Sequence, residues 1–126
     1  MTKPKEPVKP ITLPVPLRDE QADEAALRAA VMMAQMMLGA ASTQVAATNL
    51  AYTQAQDSLN LALDMYDSAV ADNNQAMIAM AAAAVASATL SLETARQAEV
   101  TAHDNYEARQ QDLQNAVAAL NAFLNP

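Results

Sequence analysis

The chain has 126 residues, 52% of them hydrophobic and 17% charged, with one Gly, one Phe and no Trp. This length suits one domain, and the absence of Cys excludes disulfides and thiolate metal sites. The net charge of -7 disfavours nucleic acid as a partner, because phosphate contacts need clustered Lys and Arg.

Residues 1–18 are predicted to form an extended, Pro-rich basic arm. Five of the six Pro lie in this segment, and their fixed dihedral angle and missing amide proton favour an extended conformation. Lys3, Lys5, Lys9 and Arg18 make the arm basic. It either stays without fixed structure or lies along the acidic body of a neighbouring subunit. Because it contains no apolar core of the kind that signal peptides have, classical secretion is not expected.

A first helix is predicted over residues 19–71. Acidic side chains, including Asp19 and Glu20, lie in its first turns, where they oppose the positive end of the helix dipole. Beyond them, large and small side chains alternate at spacings of three and four residues. The large positions are Val31, Leu38, Val45, Tyr52, Leu59 and Tyr66, and the small ones are Ala34, Ala41, Thr48, Ala55, Ala62 and Ala69. This spacing predicts a coiled-coil helix, and the Ala positions allow a close approach of its partner.

A turn is predicted at residues 72–74, followed by a second helix over residues 75–124. Asp72, Asn73 and Asn74 are poor helix formers, and Asp72 or Asn73 could cap the second helix. The seven-residue pattern resumes after them in a shifted phase. It comprises Ile78, Ala81, Val85, Ala88, Leu92, Ala95, Ala102, Tyr106, Leu113, Ala116 and Leu120. The predicted fold class is therefore all-α, a long antiparallel helical hairpin. A single helix with a local change of phase is the alternative.

Two stretches without ionised residues predict contacts beyond the hairpin. No charge occurs from Ala29 to Gln56 or from Asn73 to Leu92, whereas a helix with one face in water normally carries charges there. We therefore predict that copies of the chain cover these flanks. The predicted assembly interface comprises Val31, Leu38, Val45, Tyr52, Leu59, Tyr66, Ile78, Ala81, Val85, Ala88, Leu92, Ala95, Tyr106 and Leu113.

Several Met, acidic and His residues suggest other kinds of site. The Met residues between positions 32 and 37 could bind copper(I), but without His or Cys beside them adaptable packing is the preferred interpretation. The same run is shorter than a typical membrane span, so membrane contact without spanning is the expectation. Candidate pH-sensitive residues are Asp57, Asp64, Asp67, Glu99, His103 and Asp104. No catalytic set or nucleotide-binding loop occurs, so neither an enzyme nor a cofactor is expected.

Residues 38–90 resemble the killing-trait family of bacterial R-body (refractile body) structural proteins. The resemblance rests on Asn49-Leu50-Ala51-Tyr52, Ala55-Gln56, Leu59, Asn73-Asn74-Gln75 and the small residues from Ala81 to Val85. It implies a cytoplasmic bacterial ribbon that changes shape on acidification and disrupts membranes. Ionised carboxylates across subunit contacts would repel each other, and their protonation below about pH 5 would change the packing.

The sequence therefore predicts a structural subunit that polymerises into a filament, ribbon or sheet. Its partners would be copies of itself, with or without related chains, and no nucleic acid. One alternative is an amphipathic coat on granules or lipid surfaces, similar to phasins. Another is a secreted helical-hairpin subunit of a needle or translocation apparatus, so non-classical secretion stays open.

Overall fold

Two long helices make up the part of the chain that the structure describes. The structure is a computed structural model, and it describes the backbone of residues 14–126 and the side chains from Glu20 onward. Helix α1 spans Pro14–Ala71 and helix α2 spans Gln75–Leu124, with no strand among these residues. The helices pack as a hairpin. This confirms the all-α class that the two seven-residue patterns predicted.

Helix α1 begins earlier than the sequence predicted. The expected start was residue 19, but residues 14–18 are already helical, so this part of the predicted arm is not extended. Two Pro residues, Pro14 and Pro16, lie in the first turn, where a backbone N–H would have no helical partner and its absence costs nothing. The remainder of the arm, residues 1–13, lies outside the described residues.

The turn between the helices is a compact C-terminal cap followed directly by an N-terminal cap. Asn74 N donates to Ala69 O at 3.1 Å and Asn73 N donates to Val70 O at 3.0 Å. Asn73 has φ 54°, the left-handed conformation that this Schellman arrangement requires. The side chain of Asn74 then accepts from Met77 N at 3.2 Å. Asn74 therefore caps α2, and the prediction that Asp72 or Asn73 would do so was wrong.

The described chain divides into two compact units. Unit 2 is Leu38–Arg109 and contains the turn, while unit 1 comprises Gln110–Pro126 and the described part of Met1–Met37. In each unit, segments of both helices bury one stripe of side chains, which we call the seam. In unit 2 the most buried seam residues are small: Ala69 is 2% exposed, Ala41 and Ala81 are each 3% exposed, and Ala102 is 4% exposed. Small side chains at these positions allow close approach of the two helices.

The larger seam residues are half-buried, and no large side chain of the described residues is fully buried. Thr48 is the buried polar residue of the seam, and its hydroxyl donates to Gln44 O and Val45 O, each at 3.0 Å. This pairing within its own helix satisfies the hydroxyl without a partner from α2. Hydrophobic burial in the hairpin is therefore confined to a single narrow stripe.

Candidate interaction surface

The residues predicted as the assembly interface lie on the seam. All fourteen are half-buried or buried: Val31, Leu38, Val45, Tyr52, Leu59 and Tyr66 in α1, and Ile78, Ala81, Val85, Ala88, Leu92, Ala95, Tyr106 and Leu113 in α2. Val31 and Leu113 belong to unit 1, and the others belong to unit 2. Since the seam packs within the hairpin, these side chains offer a second copy little free surface. Their role in assembly stays a prediction, and other, more accessible residues lie outside the seam.

Those other residues are large hydrophobic side chains outside the seam. In unit 2 the most exposed are Met80 at 72% and Leu90 at 71%. The full set in this unit is Leu50, Leu61, Leu63, Met65, Val70, Met77, Met80, Leu90 and Val100. Leu50, Met77, Met80 and Leu90 lie in the charge-free stretches that the sequence predicted to be covered by other copies. The other five were not predicted, because the predicted interface followed only the two strongest positions of each heptad. Examining the other apolar positions of the heptad would have found them.

Three adjoining grooves run along one face of unit 2, which we call the grooved face. It combines residues of α1 that precede the turn with residues of α2 that follow it. The residues lining its walls are Ala51, Ser58, Leu61, Met65 and Ser68 from α1, and Met77, Met80, Ala84, Ser87, Leu90, Ser91, Thr94 and Ala98 from α2. Seam alanines, among them Ala55 and Ala88, form the floor of the grooves.

Charged residues are scarce on the grooved face. The two grooves farther from the turn are lined entirely by uncharged residues. The groove nearest the turn adds Asp64 and Asp72. Large side chains also concentrate in the turn half of the face, where Met65, Met77 and Met80 lie, while Ala and hydroxyl residues dominate the other half. The grooved face therefore has a Met-rich, acidic turn end and a neutral far end lined mainly by small residues, with Leu90 as its one large side chain.

The remaining charges of unit 2 lie away from the grooved face. Helical spacing places Asp67, Glu93, Arg96, His103 and Glu107 on the opposite face, flanking the other side of the seam. Asp57 and Asp104 lie on the outer sides of the helices, and Glu99 and Arg109 are half-buried at seam positions. The two faces of unit 2 thus differ in where their charges lie: the ionised residues of the grooved face are beside the turn, and those of the opposite face are spread along both helices.

One pair on the opposite face is an ordered ion pair. Arg96 Nη2 donates to Glu93 Oε1 at 2.7 Å and Arg96 Nε donates to Glu93 Oε2 at 3.0 Å. These hydrogen bonds lower the pKa of Glu93 and raise the pKa of Arg96. Both side chains are exposed, so the pair stabilises the helix only slightly.

The predicted pH-sensitive residues do not form one cluster. Asp57, Asp64, Asp67, His103 and Asp104 are exposed, and Glu99 is half-buried on the seam. Among the described residues, no group of three or more His, Cys, Asp or Glu side chains is placed to hold a metal ion.

Unit 1 carries a second apolar surface. Met32, Met33, Met36 and Met37 are exposed, with Met36 at 72%. They occupy consecutive turns on the side of α1 away from the seam residues Val31 and Ala34. Flexible thioether side chains adapt to irregular apolar partners.

Each helix also contains an 18-residue window that is long and apolar enough to cross a membrane, by length and composition alone. Only 11% of the window in Glu20–Ala71 and 6% of the window in Gln75–Leu124 is buried. The core helices of soluble proteins also pass this test of length and composition, but those helices are mostly buried. In this chain the apolar windows remain uncovered.

The fold and surface define a class of protein: an all-α helical hairpin with one buried seam and extensive exposed apolar surface. No protein-family model matches the chain, and no curated protein or solved structure is significantly similar to it.

Proposed function

We propose that this chain is a structural subunit that assembles with copies of itself into a filament, ribbon or sheet. The observation that carries the proposal is the exposure of large apolar side chains outside the seam, with Met36, Met80 and Leu90 each more than two-thirds exposed. Monomeric proteins rarely leave extended apolar patches uncovered, and such patches mark contact sites. An interface that does not close on itself produces an open polymer.

Charge supports contacts between copies at a second place. Residues 1–18 contain four basic residues and one acidic residue. Residues 19–126 contain thirteen acidic residues and three Arg, which are Arg28, Arg96 and Arg109. The basic arm of one copy would attract the acidic body of the next. We propose this contact as a strap between adjacent subunits, weakened by salt because dissolved ions screen the attraction between charges on different subunits.

The resemblance to R-body proteins adds a proposal about regulation and location. An assembly of this kind would form in the bacterial cytoplasm and change shape on acidification. The net charge of -7 makes neighbouring copies repel each other at neutral pH. Protonation of carboxylates would relieve this repulsion and favour closer packing.

The experiment is electron microscopy and analytical ultracentrifugation of the purified full chain at pH 7 and pH 4. Regular polymers in the absence of lipid or partner would support the proposal. A chain that remains a folded monomer at all concentrations would overturn it. Polymers of identical geometry at the two pH values would remove the acidification proposal alone.

The uncovered apolar windows of both helices favour a second candidate, an amphipathic coat on a lipid or granule surface. Spanning is not proposed, because the window of α2 lies beside the α1 segment with Asp64 and Asp72, and carboxylates are costly in a bilayer. Flotation with phosphatidylcholine vesicles tests this candidate. A monomer that floats with vesicles and forms no polymer would favour the coat over the self-assembling subunit.

A further inference from the structure

We propose that two copies of the hairpin pair through their grooved faces to form a four-helix bundle, with their turns at opposite ends. This inference rests on the proposed function of self-assembly and names the surface that makes the first contact between copies. The proposed occupant of the grooved face is therefore a second copy of the same face.

The pattern of residues along each helix supports the formation of a four-helix bundle. A helix in a two-stranded coiled coil needs apolar residues at two positions of each heptad, whereas a helix in a four-helix bundle needs a third, adjacent position. In unit 2 this third position holds Ala51, Ser58 and Met65 in α1, and it continues with Met77, Ala84, Ser91 and Ala98 in α2. Five of these seven residues are apolar, the two Ser are uncharged, and all seven line the grooves. Beyond the grooves the same position holds Gln44 and Asn105, which are polar and uncharged. The hairpin thus supplies two helices of a bundle and lacks the other two.

The distribution of acidic residues in unit 2 also favours contact through the grooved face. Unit 2 has eight acids (Asp57, Asp64, Asp67, Asp72, Glu93, Glu99, Asp104 and Glu107) and two Arg. Two copies that met through the opposite face or the outer sides would bring like charges together, which is unfavourable. Along the two grooves far from the turn, the grooved face has no ionised residue. The carboxylates of this face, Asp64 and Asp72, lie beside the turn, so two copies with their turns at opposite ends keep these charges apart.

The distribution of large and small side chains indicates the relative direction of the two copies. Met65, Met77 and Met80 lie at the end of the face next to the turn, and the far end is lined mainly by small residues such as Ala51 and Ala98, with Leu90 among them. With the turns at opposite ends, the Met side chains of each copy lie over the small residues at the far end of the other. This arrangement also separates the Asp64 and Asp72 carboxylates of the two copies. A two-fold axis relates such copies, as in most protein dimers.

The size of the surface suits a contact of modest area. Fifteen residues outside the seam line the grooves, and a standard interface has about 20–30 residues per partner. The hydroxyl groups of Ser58, Ser87 and Ser91 can donate across the contact, so their burial does not leave them unpaired.

The test compares two double variants of the full chain with equal net charge. Ser58→Glu with Ser91→Glu places carboxylates on the grooved face, where both residues line one groove. Gln56→Glu with Thr89→Glu places them on the opposite side of the same helix segments, at exposed positions. Circular dichroism checks that both variants stay helical, and sedimentation velocity over a range of concentrations measures association.

We expect the grooved-face variant to associate about 100-fold more weakly than the unchanged chain, because it buries like charges in the contact. The control variant should associate within about threefold of the unchanged chain, since exposed charges are screened by salt. Equal association of both variants and the unchanged chain would overturn the grooved-face contact while leaving self-assembly intact. Equal loss in both variants would also overturn it, because net charge alone would explain the loss. An unchanged chain that never associates would overturn the proposed function itself.

Cross-linking tests the direction of pairing, because the chain has no native Cys. With the turns at opposite ends, α2 of one copy lies along α2 of the other in the reverse direction. A mixture of Met77→Cys and Ala98→Cys chains should then form a mixed disulfide in preference to either homodimer. Homodimers of both variants with no mixed product would contradict the proposed direction.

Discussion

The seam and the grooved face of unit 2 are both rich in Ala, yet they differ in what covers them. Seam alanines such as Ala69 and Ala81 are 2% and 3% exposed because the two helices of the hairpin pack over them. Ala51 and Ala98 on the grooved face are exposed. The same residue type therefore contributes to folding in one place and is free for contacts in the other. Position within the heptad, rather than composition, separates the two roles.

The largest effect on stability should come from enlarging a seam alanine. Ala81→Leu adds three carbon atoms to a site that is 3% exposed and should destabilise the hairpin by about 1–3 kcal/mol. Ala98→Leu, on the exposed grooved face, should change the free energy of unfolding by less than about 0.5 kcal/mol. Urea unfolding followed by circular dichroism measures both. Equal costs at the two sites would mean that the seam and the grooved face are not distinct surfaces.

The turn that joins the two sides of the seam should be the next most sensitive place. Asn73 has φ 54°, which Ala tolerates poorly and Gly tolerates well. Asn73→Ala should therefore cost about 1–2 kcal/mol, whereas Asn73→Gly should be close to neutral or slightly stabilising. Thermal unfolding of the two variants makes the comparison. Identical melting temperatures would show that the left-handed conformation is not maintained.

A gain is expected from the seam position that breaks the apolar pattern. Glu99 is half-buried where the heptad calls for a large apolar residue. Glu99→Leu should stabilise the hairpin by about 1 kcal/mol through added apolar burial, and Val100→Leu, at an exposed position, serves as its control. Urea unfolding again measures the change. A loss of stability in Glu99→Leu would indicate that the carboxylate sets the register of the seam.

A smaller gain is expected outside the seam. Gly39 lies inside α1, and a Cβ atom added there would meet no other atom within 4 Å. Gly39→Ala should stabilise the hairpin by about 0.5–1 kcal/mol, because Ala loses less backbone entropy on forming a helix. The rise in the thermal unfolding midpoint checks this value. A fall would mean that the site is covered by another part of the molecule.

The smallest effect concerns the ion pair on the opposite face. The hydrogen bonds from Arg96 lower the pKa of Glu93, so the pair contributes stability above the ordinary pKa of a Glu and loses it as pH falls through the lowered value. Glu93→Gln should therefore be slightly less stable than the unchanged chain at pH 7, and the difference should shrink as the pH falls below the ordinary pKa of a Glu. Unfolding curves from neutral to acidic pH make the test, and a difference that does not shrink in acid would contradict the prediction.

The sequence was sufficient to predict the hairpin because its main signals are periodic. The seven-residue spacing that begins with Val31 and Leu38 identified the buried stripe. The shift in phase of this pattern located the turn. The start of α1 was missed because Pro14 and Pro16 disfavour a helix interior but are compatible with a first turn. The choice of Asn74 as the cap depended on the backbone geometry of Asn73, which composition does not reveal.

The interaction surface was harder to predict than the fold. The residues of the two seven-residue patterns are predicted to form the assembly interface because their pattern is the strongest, and the structure places them on the seam within one chain. The grooved face depends on which positions lack charge, such as Ser58 and Ser91, and on both helices presenting those positions together. That second condition depends on how the two helices pair. The grooved face was therefore not predicted from the sequence.

The capped turn at Asn73 and Asn74 also sets an order of events during synthesis. Because α1 precedes α2, the stripe of α1 remains without its partner while the ribosome adds the second helix. The segments beside the turn, separated by the fewest residues, meet first, since closing a short loop costs the least entropy. Pairing then extends away from the turn, so the stretch of α1 farthest from the turn waits longest and has the most time to meet another nascent chain.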